Sequence, residues 1–282
     1  MKHTQIRLFL LALAYSLFMA STFATSQESE QIEQIEQENN LENEPTKELP
    51  MSLQPMVHTA EWAVDWWLPR HQQKLAELEQ RNFDIDLVFL GDSITHNWES
   101  KGKEHWQTFY AERKALNLGF GGDRTEHVLW RLQNNAIDGI DPKLLVLLIG
   151  TNNTGHRQDP ADETALGIRA ILDELVTRLP NTKILMLAVF PRGETASDPL
   201  RILNTQVNKQ IQKFADNNSI FWLNINHMFL TEDGVLPKSV MNDFLHPESE
   251  QYRRWALAIE PYVKRFVDNA PKPTDAEPKD IR

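Results

Sequence analysis

The sequence contains no cysteine among its 282 residues. This absence excludes disulfide bonds, thiolate metal sites, a cysteine nucleophile and a lipid-modified N-terminal cysteine. The chain also lacks a phosphate-binding G-x-x-x-x-G-K-[ST] loop, a complete G-x-G-x-x-G dinucleotide fingerprint and an H-E-x-x-H zinc motif. The G-x-S-x-G elbow of α/β-hydrolases is missing as well. His105, His127 and His156 are scattered along the chain, which argues against a zinc site.

Long hydrophobic runs are absent except near the N-terminus. Residues 8–20 are almost wholly apolar, they follow the basic residues Lys2 and Arg7, and a stretch of small residues ends at Ala24. This pattern predicts a secretory signal peptide over residues 1–24. A retained N-terminal anchor is the alternative, but the run is shorter than the roughly 20 residues that a membrane span needs. We therefore predict an exported protein, periplasmic or secreted, without a stable membrane span after cleavage.

Apolar side chains are also scarce next to the signal peptide and at the C-terminus. Residues 26–50 contain eight acidic residues and one lysine, so much of the formal charge of −11 belongs to them. Such segments bury too little apolar surface to offset the entropy of ordering. We predict a disordered acidic linker over 25–55, a folded domain over 56–269 and a disordered tail over 270–282. The domain itself is only mildly acidic, which argues against nucleic-acid binding.

Five short apolar runs recur in the predicted domain, at residues 86–90, 115–118, 144–149, 184–190 and 220–223. They are apolar on both faces, as are parallel strands that helices cover on both sides. Apolar residues at helical spacing separate or flank most of the runs, as at 62–81, 168–179, 203–214 and 252–266. The alternation predicts an α/β fold with a parallel sheet.

Glycines, hydroxyls and amides follow the predicted strands. The segments are GDS at 91–93, GFGGD at 119–123, GTNN at 150–153, PRG at 191–193 and, beyond the last run, DFLH at 243–246. In an open parallel sheet, ligands bind outside the carboxyl ends of the strands. We therefore expect these segments to meet at one edge of the sheet.

Ser93 has two interpretations at this edge. A serine after Gly-Asp is often a turn residue or a helix cap. As a nucleophile it would need a base, a carboxylate that holds the base, and donors for the developing oxyanion. Among nine histidines, only His246 has an acid three residues before it at a strand end, which lets Asp243 reach its imidazole. The glycine-rich turns and an amide side chain could supply the donors.

Four of these segments, in this order, resemble the blocks of the SGNH (GDSL-type) hydrolases: GDSIT at 91–95, NLGFGGD at 117–123, GTNN at 150–153 and DFLH at 243–246. The resemblance covers about residues 60–267. It is closest to the branch that contains the catalytic subunits of platelet-activating-factor acetylhydrolase. It implies a flavodoxin-like three-layer α/β/α sandwich with a five-stranded parallel sheet, and it implies no metal and no organic cofactor.

The resemblance also implies a role for individual residues. By this resemblance, Ser93 corresponds to the nucleophile of the family, and its backbone N–H corresponds to one donor to the oxyanion. Gly122 resembles the second backbone donor, and Asn152 resembles the side-chain donor. His246 resembles the general base, and Asp243 resembles the carboxylate that orients it.

Other residues near these blocks keep more than one interpretation. Arg192 either pairs with a neighbouring acid or steers an anionic or sugar substrate, and Asn153 is a second candidate for substrate binding. Trp66 and Trp67 are interpreted as core or docking residues in preference to a sugar platform. Residues 95–98 could shape the pocket that selects the ester.

These observations predict an exported serine esterase that acts on short, chiefly acetyl, esters of a sugar, lipid or small alcohol. An acyltransferase that passes the acyl group to a carbohydrate acceptor would use the same residues. A non-catalytic carbohydrate-binding module of the envelope is a third alternative, but it has no need of all five residues. The expected partner is a small-molecule or glycan ester, and the oligomeric state is not predicted.

Overall fold

The computed structural model describes residues 48–269. The predicted signal peptide, most of the predicted linker and the predicted tail lie outside the described residues. Within residues 48–269, no helix is both long enough and apolar enough to cross a membrane.

In this part of the chain, five parallel strands form one sheet with the order β2-β1-β3-β4-β5. The strands are β1 (Leu87–Gly91), β2 (Ala115–Gly119), β3 (Leu144–Leu148), β4 (Lys183–Leu187) and β5 (Ile220–Leu223). Every residue of β1 and β3 is buried, as expected for central strands that are covered on both faces. The predicted α/β fold with a five-stranded parallel sheet is confirmed.

Seven α-helices accompany the sheet in the described residues. They are α1 (Trp67–Gln80), α2 (Ser93–His96), α3 (Lys103–Tyr110), α4 (Thr125–Gln133), α5 (Ala161–Arg178), α6 (Pro199–Ile211) and α7 (Ser249–Val263). Short 3₁₀ turns occur at Met51–Leu53, Asn97–Glu99, Ala111–Arg113, Gln212–Phe214 and Asn226–Phe229. Single π-helical turns occur at Asn153–Arg157 and Lys264–Asp268.

Two cores sandwich the sheet because successive strand residues point to opposite faces. In β1, Val88 and Leu90 enter one core with apolar side chains of α1, α4, α5 and α6. Leu87 and Phe89 enter the other core with side chains of α3 and α7. The chain therefore has the three α/β/α layers that the resemblance implies.

The strand order places a crevice next to β1. The chain goes from β1 to one neighbour, β2, and then returns to β3 on the other side. Helices that follow β1 and β3 thus leave in opposite directions at this switch point, and ligands bind there in open α/β sheets. The GDS and GTNN segments follow these two strands.

The first helix begins later than the apolar spacing predicts. The sequence predicts a helix from residue 62, whereas α1 begins at Trp67 and residues 61–66 form turns. Pro69 explains the difference, because its ring nitrogen cannot donate to a carbonyl four residues back and its ring clashes there. Proline is favoured in the first turn of a helix, where no such bond is needed, and Pro69 lies in the first turn of α1.

Residues before the first helix pack on the sandwich. Ser52 is fully buried, and its Oγ donates to the Glu163 carbonyl at 2.6 Å. The Ser52 carbonyl in turn accepts a hydrogen bond from Thr125 Oγ1 at 3.0 Å. These bonds attach the turn at Met51–Leu53 to α4 and α5. The domain boundaries at 25, 56 and 270 stay predictions.

Candidate active site

Ser93 lies directly beyond the end of the first strand. β1 ends at Gly91, and Asp92 then caps the short helix α2. The Asp92 Oδ1 atom accepts a hydrogen bond from the Ile94 N–H at 2.9 Å, as an N-cap side chain does. Ser93 is the first residue of α2, so its N–H has no acceptor within the helix. Its hydroxyl and its N–H therefore both lie at the carboxyl edge of the sheet.

Glycine at the end of β1 is required by the close approach of two neighbours. A Cβ atom on Gly91 would lie 2.2 Å from the Leu148 carbonyl oxygen and 2.4 Å from Thr95 Oγ1. A larger residue would therefore displace β3 or α2. The glycine lets the helix that carries Ser93 fold back against the sheet.

Asp243 and His246 share one turn in the loop before α7. Asp243 Oδ1 accepts the N–H of Leu245 at 3.0 Å and the N–H of His246 at 2.8 Å. The other oxygen, Oδ2, lies 2.6 Å from His246 Nδ1. Partial burial alone would raise the pKa of Asp243, but the hydrogen bonds from His246 outweigh it and lower the pKa to about 2. Asp243 is therefore ionised at neutral pH, and His246 Nδ1 carries the proton that faces it.

Phe244 gives this turn its shape. Its φ of 57° lies in the left-handed region, which costs a bulky residue roughly 1–2 kcal/mol. The Gly193 N–H donates a hydrogen bond to the Phe244 carbonyl at 2.9 Å and so links the turn to the segment after β4. Backbone strain of this kind often occurs where a site requires an exact side-chain placement. Here it folds Asp243 back onto His246.

The Ser93 hydroxyl and the His246 imidazole are in direct contact. Ser93 Oγ lies 2.9 Å from His246 Nε2. Because Nδ1 carries the proton, Nε2 is free to accept the hydroxyl hydrogen. The structure thus brings Asp243, His246 and Ser93 into one hydrogen-bonded chain. Their catalytic roles stay predictions.

Gly122 and Asn152 lie on the turns that follow β2 and β3. Gly122 has a φ of +75°, a conformation that strains other residues. Asn152 is 2% exposed, and its Nδ2 donates one hydrogen to the Asp123 carbonyl at 2.9 Å, which joins the two turns. The Gly121 N–H donates to Nδ1 of His96, the last residue of α2, at 3.3 Å. These contacts place both predicted oxyanion donors beside the helix that carries the predicted nucleophile.

Asn153 is fully buried next to Asn152. Its Oδ1 accepts the Thr125 N–H at 3.0 Å. Its Nδ2 lies within 3.3 Å of three acceptors, which are Thr125 Oγ1, Glu126 Oε2 and Asp159 Oδ2. Every polar atom of this amide thus has an internal partner, and its predicted contact with substrate stays a prediction.

Arg192 lies between the GTNN turn and the Asp243 turn. Its Nη1 donates to the Thr151 carbonyl at 2.8 Å. Arg192 and Asp243 line one open pocket. Burial lowers the pKa of Arg192, and the carboxylates of Asp198, Asp92 and Asp243 oppose that shift. A guanidinium in this position could reach an anionic or polar group of a ligand, and that role stays a prediction.

Asp92 is fully buried behind Ser93. Burial raises the pKa of Asp92 to about 7, although the hydrogen bond from the Ile94 N–H opposes the shift. Within residues 48–269, its Oδ2 atom has no hydrogen-bond partner. The contact that Asp92 makes is that of a helix cap.

A buried ion pair supports the glycine-rich turn. Arg131 Nη2 lies 2.7 Å from Asp123 Oδ2, and both side chains are fully buried. Trp67 Nε1 donates to the other carboxylate oxygen at 2.6 Å. Burial raises the pKa of Asp123 to about 6, and Arg131 and Trp67 oppose a larger rise, so the carboxylate is ionised at neutral pH. The Arg131 guanidinium also packs on the Phe120 ring, 4.0 Å from its centroid, and thus holds both ends of the turn that contains Gly122.

Trp98 does not line the site. It is fully buried among the aromatic rings of Phe89, Tyr110, Tyr252 and Trp255, with ring centroids 4.7–5.8 Å away. The expectation that residues 95–98 shape an ester pocket therefore does not apply to Trp98, which stabilises the second core. A tryptophan surrounded by edge-to-face aromatic neighbours is a packing residue.

Other residues contact the site without any motif to mark them. His96, three residues after Ser93, accepts the Gly121 N–H described above. His58 and Trp62 pack against Gly122, at 3.0 Å and 2.1 Å from the position that its Cβ would occupy. These two residues precede the first strand, and sequence spacing alone gives no sign that they return to this edge. Within residues 48–269, no three acidic or histidine side chains are grouped as ligands for a metal ion.

Comparisons with known proteins identify the family. The profile of the GDSL-like lipase/acylhydrolase family matches residues 89–254. The chain is 32% identical over 209 residues to the platelet-activating factor acetylhydrolase IB subunit alpha2 of Homo sapiens. The aligned residues cover 74% of this chain and 88% of that protein. It is 34% identical over 202 residues to subunit alpha1 of Homo sapiens, covering 71% of this chain and 84% of that protein.

Solved structures share the fold. A GDSL-like lipase from Bacteroides thetaiotaomicron superposes with a TM-score of 0.57 at 20% identity, covering 69% of this chain and 97% of the other. A catalytic mutant of an acetylxylan esterase from Geobacillus stearothermophilus superposes with a TM-score of 0.51 at 16% identity, covering 65% of this chain and 94% of the other. The profile match and the identity to the acetylhydrolase subunits establish that the chain belongs to the GDSL-like lipase/acylhydrolase family and is a carboxylic ester hydrolase.

Proposed function

We propose that this protein is an exported serine esterase that releases acetyl or other short acyl groups from a sugar, lipid or small alcohol. The single observation that carries the mechanism is the hydrogen-bonded chain Asp243–His246–Ser93, with distances of 2.6 Å and 2.9 Å. The proposal of export depends on the N-terminal sequence, where an apolar run follows two basic residues.

In the first half of the reaction, His246 Nε2 takes the Ser93 proton while Oγ attacks the ester carbonyl. Asp243, ionised at neutral pH, stabilises the imidazolium that forms. The developing oxyanion receives hydrogen bonds from the N–H groups of Ser93 and Gly122 and from the second amide hydrogen of Asn152. His246 then donates its proton to the leaving alcohol, and the acyl group stays on Ser93.

In the second half, a water molecule replaces the alcohol. His246 takes a proton from this water, the resulting hydroxide attacks the acyl carbonyl, and the same donors bind the second oxyanion. The bond from the carbonyl to Ser93 Oγ breaks, and Oγ regains its proton from His246. The carboxylic acid leaves, and Ser93 and His246 return to their starting states.

The acyl group is proposed to be short on the basis of the relatives. Two of them are named acetylhydrolase subunits, and one solved structure of the same fold is an acetylxylan esterase. Their names do not agree on the alcohol part of the ester, so the proposal leaves that part open between sugar, lipid and small alcohol.

A fluorophosphonate probe and an ester panel together test this function. We expect the full-length protein to be labelled at Ser93 and to release acetate from ethyl acetate faster than hexanoate from ethyl hexanoate. Acid release is followed by titration at constant pH. Absence of labelling together with absence of acid release would contradict the proposal. An added sugar acceptor that becomes acetylated in place of acid release would instead indicate an acyltransferase.

Two adjacent asparagines offer a matched test of the oxyanion site. Replacing Asn152 by Ala removes a proposed donor, so we expect kcat to fall roughly 10²–10³-fold with a smaller effect on KM. Replacing Asn153 by Ala instead leaves buried partners such as Glu126 with fewer hydrogen bonds, so we expect the free energy of unfolding to fall by about 1–3 kcal/mol. Steady-state kinetics and urea unfolding measure both variants.

The difference in kcat between the two variants tests the assignment of Asn152 as an oxyanion donor. Asn153→Ala is expected to keep a higher kcat than Asn152→Ala at a temperature where both are folded. Equal kcat values for Asn152→Ala and the wild-type protein would remove Asn152 from the proposed oxyanion site.

A further inference from the structure

Two tryptophans, Trp62 and Trp66, form a surface that the proposed mechanism does not use. We call them the indole pair. Their ring centroids lie 6.3 Å apart with an angle of 29° between the planes. Trp66 Nε1 donates to the Trp62 carbonyl at 2.9 Å, which fixes one residue relative to the other. Trp62 is 54% exposed, which is a large apolar area to leave in contact with water.

The indole pair lies directly over the glycine-rich turn of the site. A Cβ atom on Gly122 would lie 2.1 Å from Trp62 Cη2, and one on Gly121 would lie 3.3 Å from Trp66 Cη2. The two glycines thus allow both rings to approach the backbone that carries the proposed oxyanion donor. An ester whose carbonyl oxygen is bound at the Gly122 N–H would have the indole pair beside it.

Buried histidines hold the exposed ring in one orientation. His58 is 4% exposed and contacts Trp62 edge to face, with centroids 4.7 Å apart. His58 in turn stacks on the fully buried His127 at 4.4 Å. His156, which is exposed on the π-helical turn at Asn153–Arg157, lies edge to face with Trp62 at a centroid distance of 6.4 Å. A surface that is already ordered loses little entropy when a ligand binds.

The surroundings of the indole pair favour a sugar over a lipid surface. Glu61 and Asp65 are exposed in the same segment, and they would repel an anionic membrane. A pyranose ring has an apolar C–H face, which packs on a flat aromatic side chain, and a polar hydroxyl rim. His156 and Arg192 lie on turns of the same edge and could hydrogen-bond such hydroxyls.

We infer that Trp62 and Trp66 form a stacking surface for the pyranose ring of an acetylated carbohydrate whose ester group is bound at Ser93. This inference rests on the proposed function, and it assigns the alcohol part of the ester. It replaces the core or docking interpretation for Trp66, whereas Trp67 is 1% exposed and is a core residue. The sugar packs its C–H face on the indole pair while the ester carbonyl oxygen lies at Gly122. Trp62 supplies the exposed part of the surface, so it determines the preference for the sugar ester.

The test compares two acetate esters that differ only in the alcohol. One is a monoacetylated methyl xylopyranoside, and the other is ethyl acetate, whose alcohol has no ring. We expect Trp62→Ala to lower the ratio of their kcat/KM values about tenfold, mainly through KM for the sugar ester. Trp62→Phe keeps a flat ring, so it is expected to restore most of the ratio.

Val64→Ala is the matched control because Val64 lies in the same segment and is 49% exposed. It is expected to leave the ratio unchanged. A Trp62→Ala ratio equal to that of the wild-type protein, with both esters hydrolysed, would overturn the sugar surface and leave the esterase proposal standing. If Trp62→Ala instead lost activity selectively on ethyl hexanoate, the indole pair would be assigned to the acyl chain, and the sugar surface would also be overturned. A wild-type protein that hydrolyses neither ester would overturn the proposed function itself.

Discussion

Replacing Ser93 by Ala is expected to lower kcat/KM for ethyl acetate by roughly 10⁴-fold or more. The loss follows from the mechanism, because without Oγ there is no nucleophile for His246 to activate and no acyl-enzyme can form. Residual hydrolysis would come only from the oxyanion donors and substrate binding. Steady-state kinetics measure the loss, and circular dichroism establishes that the variant is folded.

A double variant sharpens this test. Since Ser93 and His246 are proposed to act as one unit, Ser93→Ala combined with His246→Ala should be about as inactive as either single variant. Ser100→Ala is the control, because Ser100 is exposed near the same helix and its hydroxyl bonds only to Asn97 within residues 48–269. Its activity should equal that of the wild-type protein. A folded Ser93→Ala variant with wild-type activity would contradict the assignment of the nucleophile.

Replacing Arg131 by Met is expected to lower the free energy of unfolding by about 3–5 kcal/mol at pH 7.5. The cause is the buried Asp123 carboxyl group, which without its guanidinium partner must at this pH either keep an unpaired charge or bind a proton, and both cost folding free energy. Urea unfolding measures the loss. Activity should fall as well where the variant is folded, because Asp123 belongs to the turn that carries Gly122 and its carbonyl accepts the Asn152 amide.

The pH dependence of this variant has a definite sign. The pKa of Asp123 is raised in the folded protein, so the stability that this group contributes is present at low pH and lost as the pH rises through the folded-state value, which is about 6 in the wild type. Without Arg131 that pKa rises further. The stability deficit of Arg131→Met should therefore shrink as the pH is lowered toward 4–5.

Two comparisons control for the loss of an arginine. Arg169→Met removes an exposed partner of Asp173 on α5 and should cost at most about 1 kcal/mol. Arg131→Met combined with Asp123→Asn removes both buried charges and should recover part of the lost stability, since Asn keeps an acceptor for Trp67. Equal losses of unfolding free energy for Arg169→Met and Arg131→Met would contradict the buried-charge explanation.

Much of the fold could be predicted from local patterns. Runs that are apolar on both faces predicted all five strands, and the observed strands differ from the predicted runs by a few residues at their ends. The fourth is the clearest case, since its predicted run extends to residue 190 and β4 ends at Leu187. Beyond Leu187 the chain stays buried, but its neighbours β3 and β5 end at Leu148 and Leu223, so the strand pairing of β4 stops there. Pairing partners, unlike apolarity, are a tertiary property.

The sequence by itself determined the parallel sheet, through its apolar runs, and the family, through four motifs in order. The resemblance of those motifs also implied the short list of Ser93, Gly122, Asn152, Asp243 and His246. Only the tertiary structure decided what surrounds them. Trp98 is close to Ser93 in sequence, but its side chain is buried in the core. Asn153 is adjacent to Asn152, but it is buried among internal hydrogen-bond partners. Trp62, about 30 residues before the serine, lies on the glycine turn instead. Sequence separation does not encode which surfaces meet, because helix packing and strand order set those contacts.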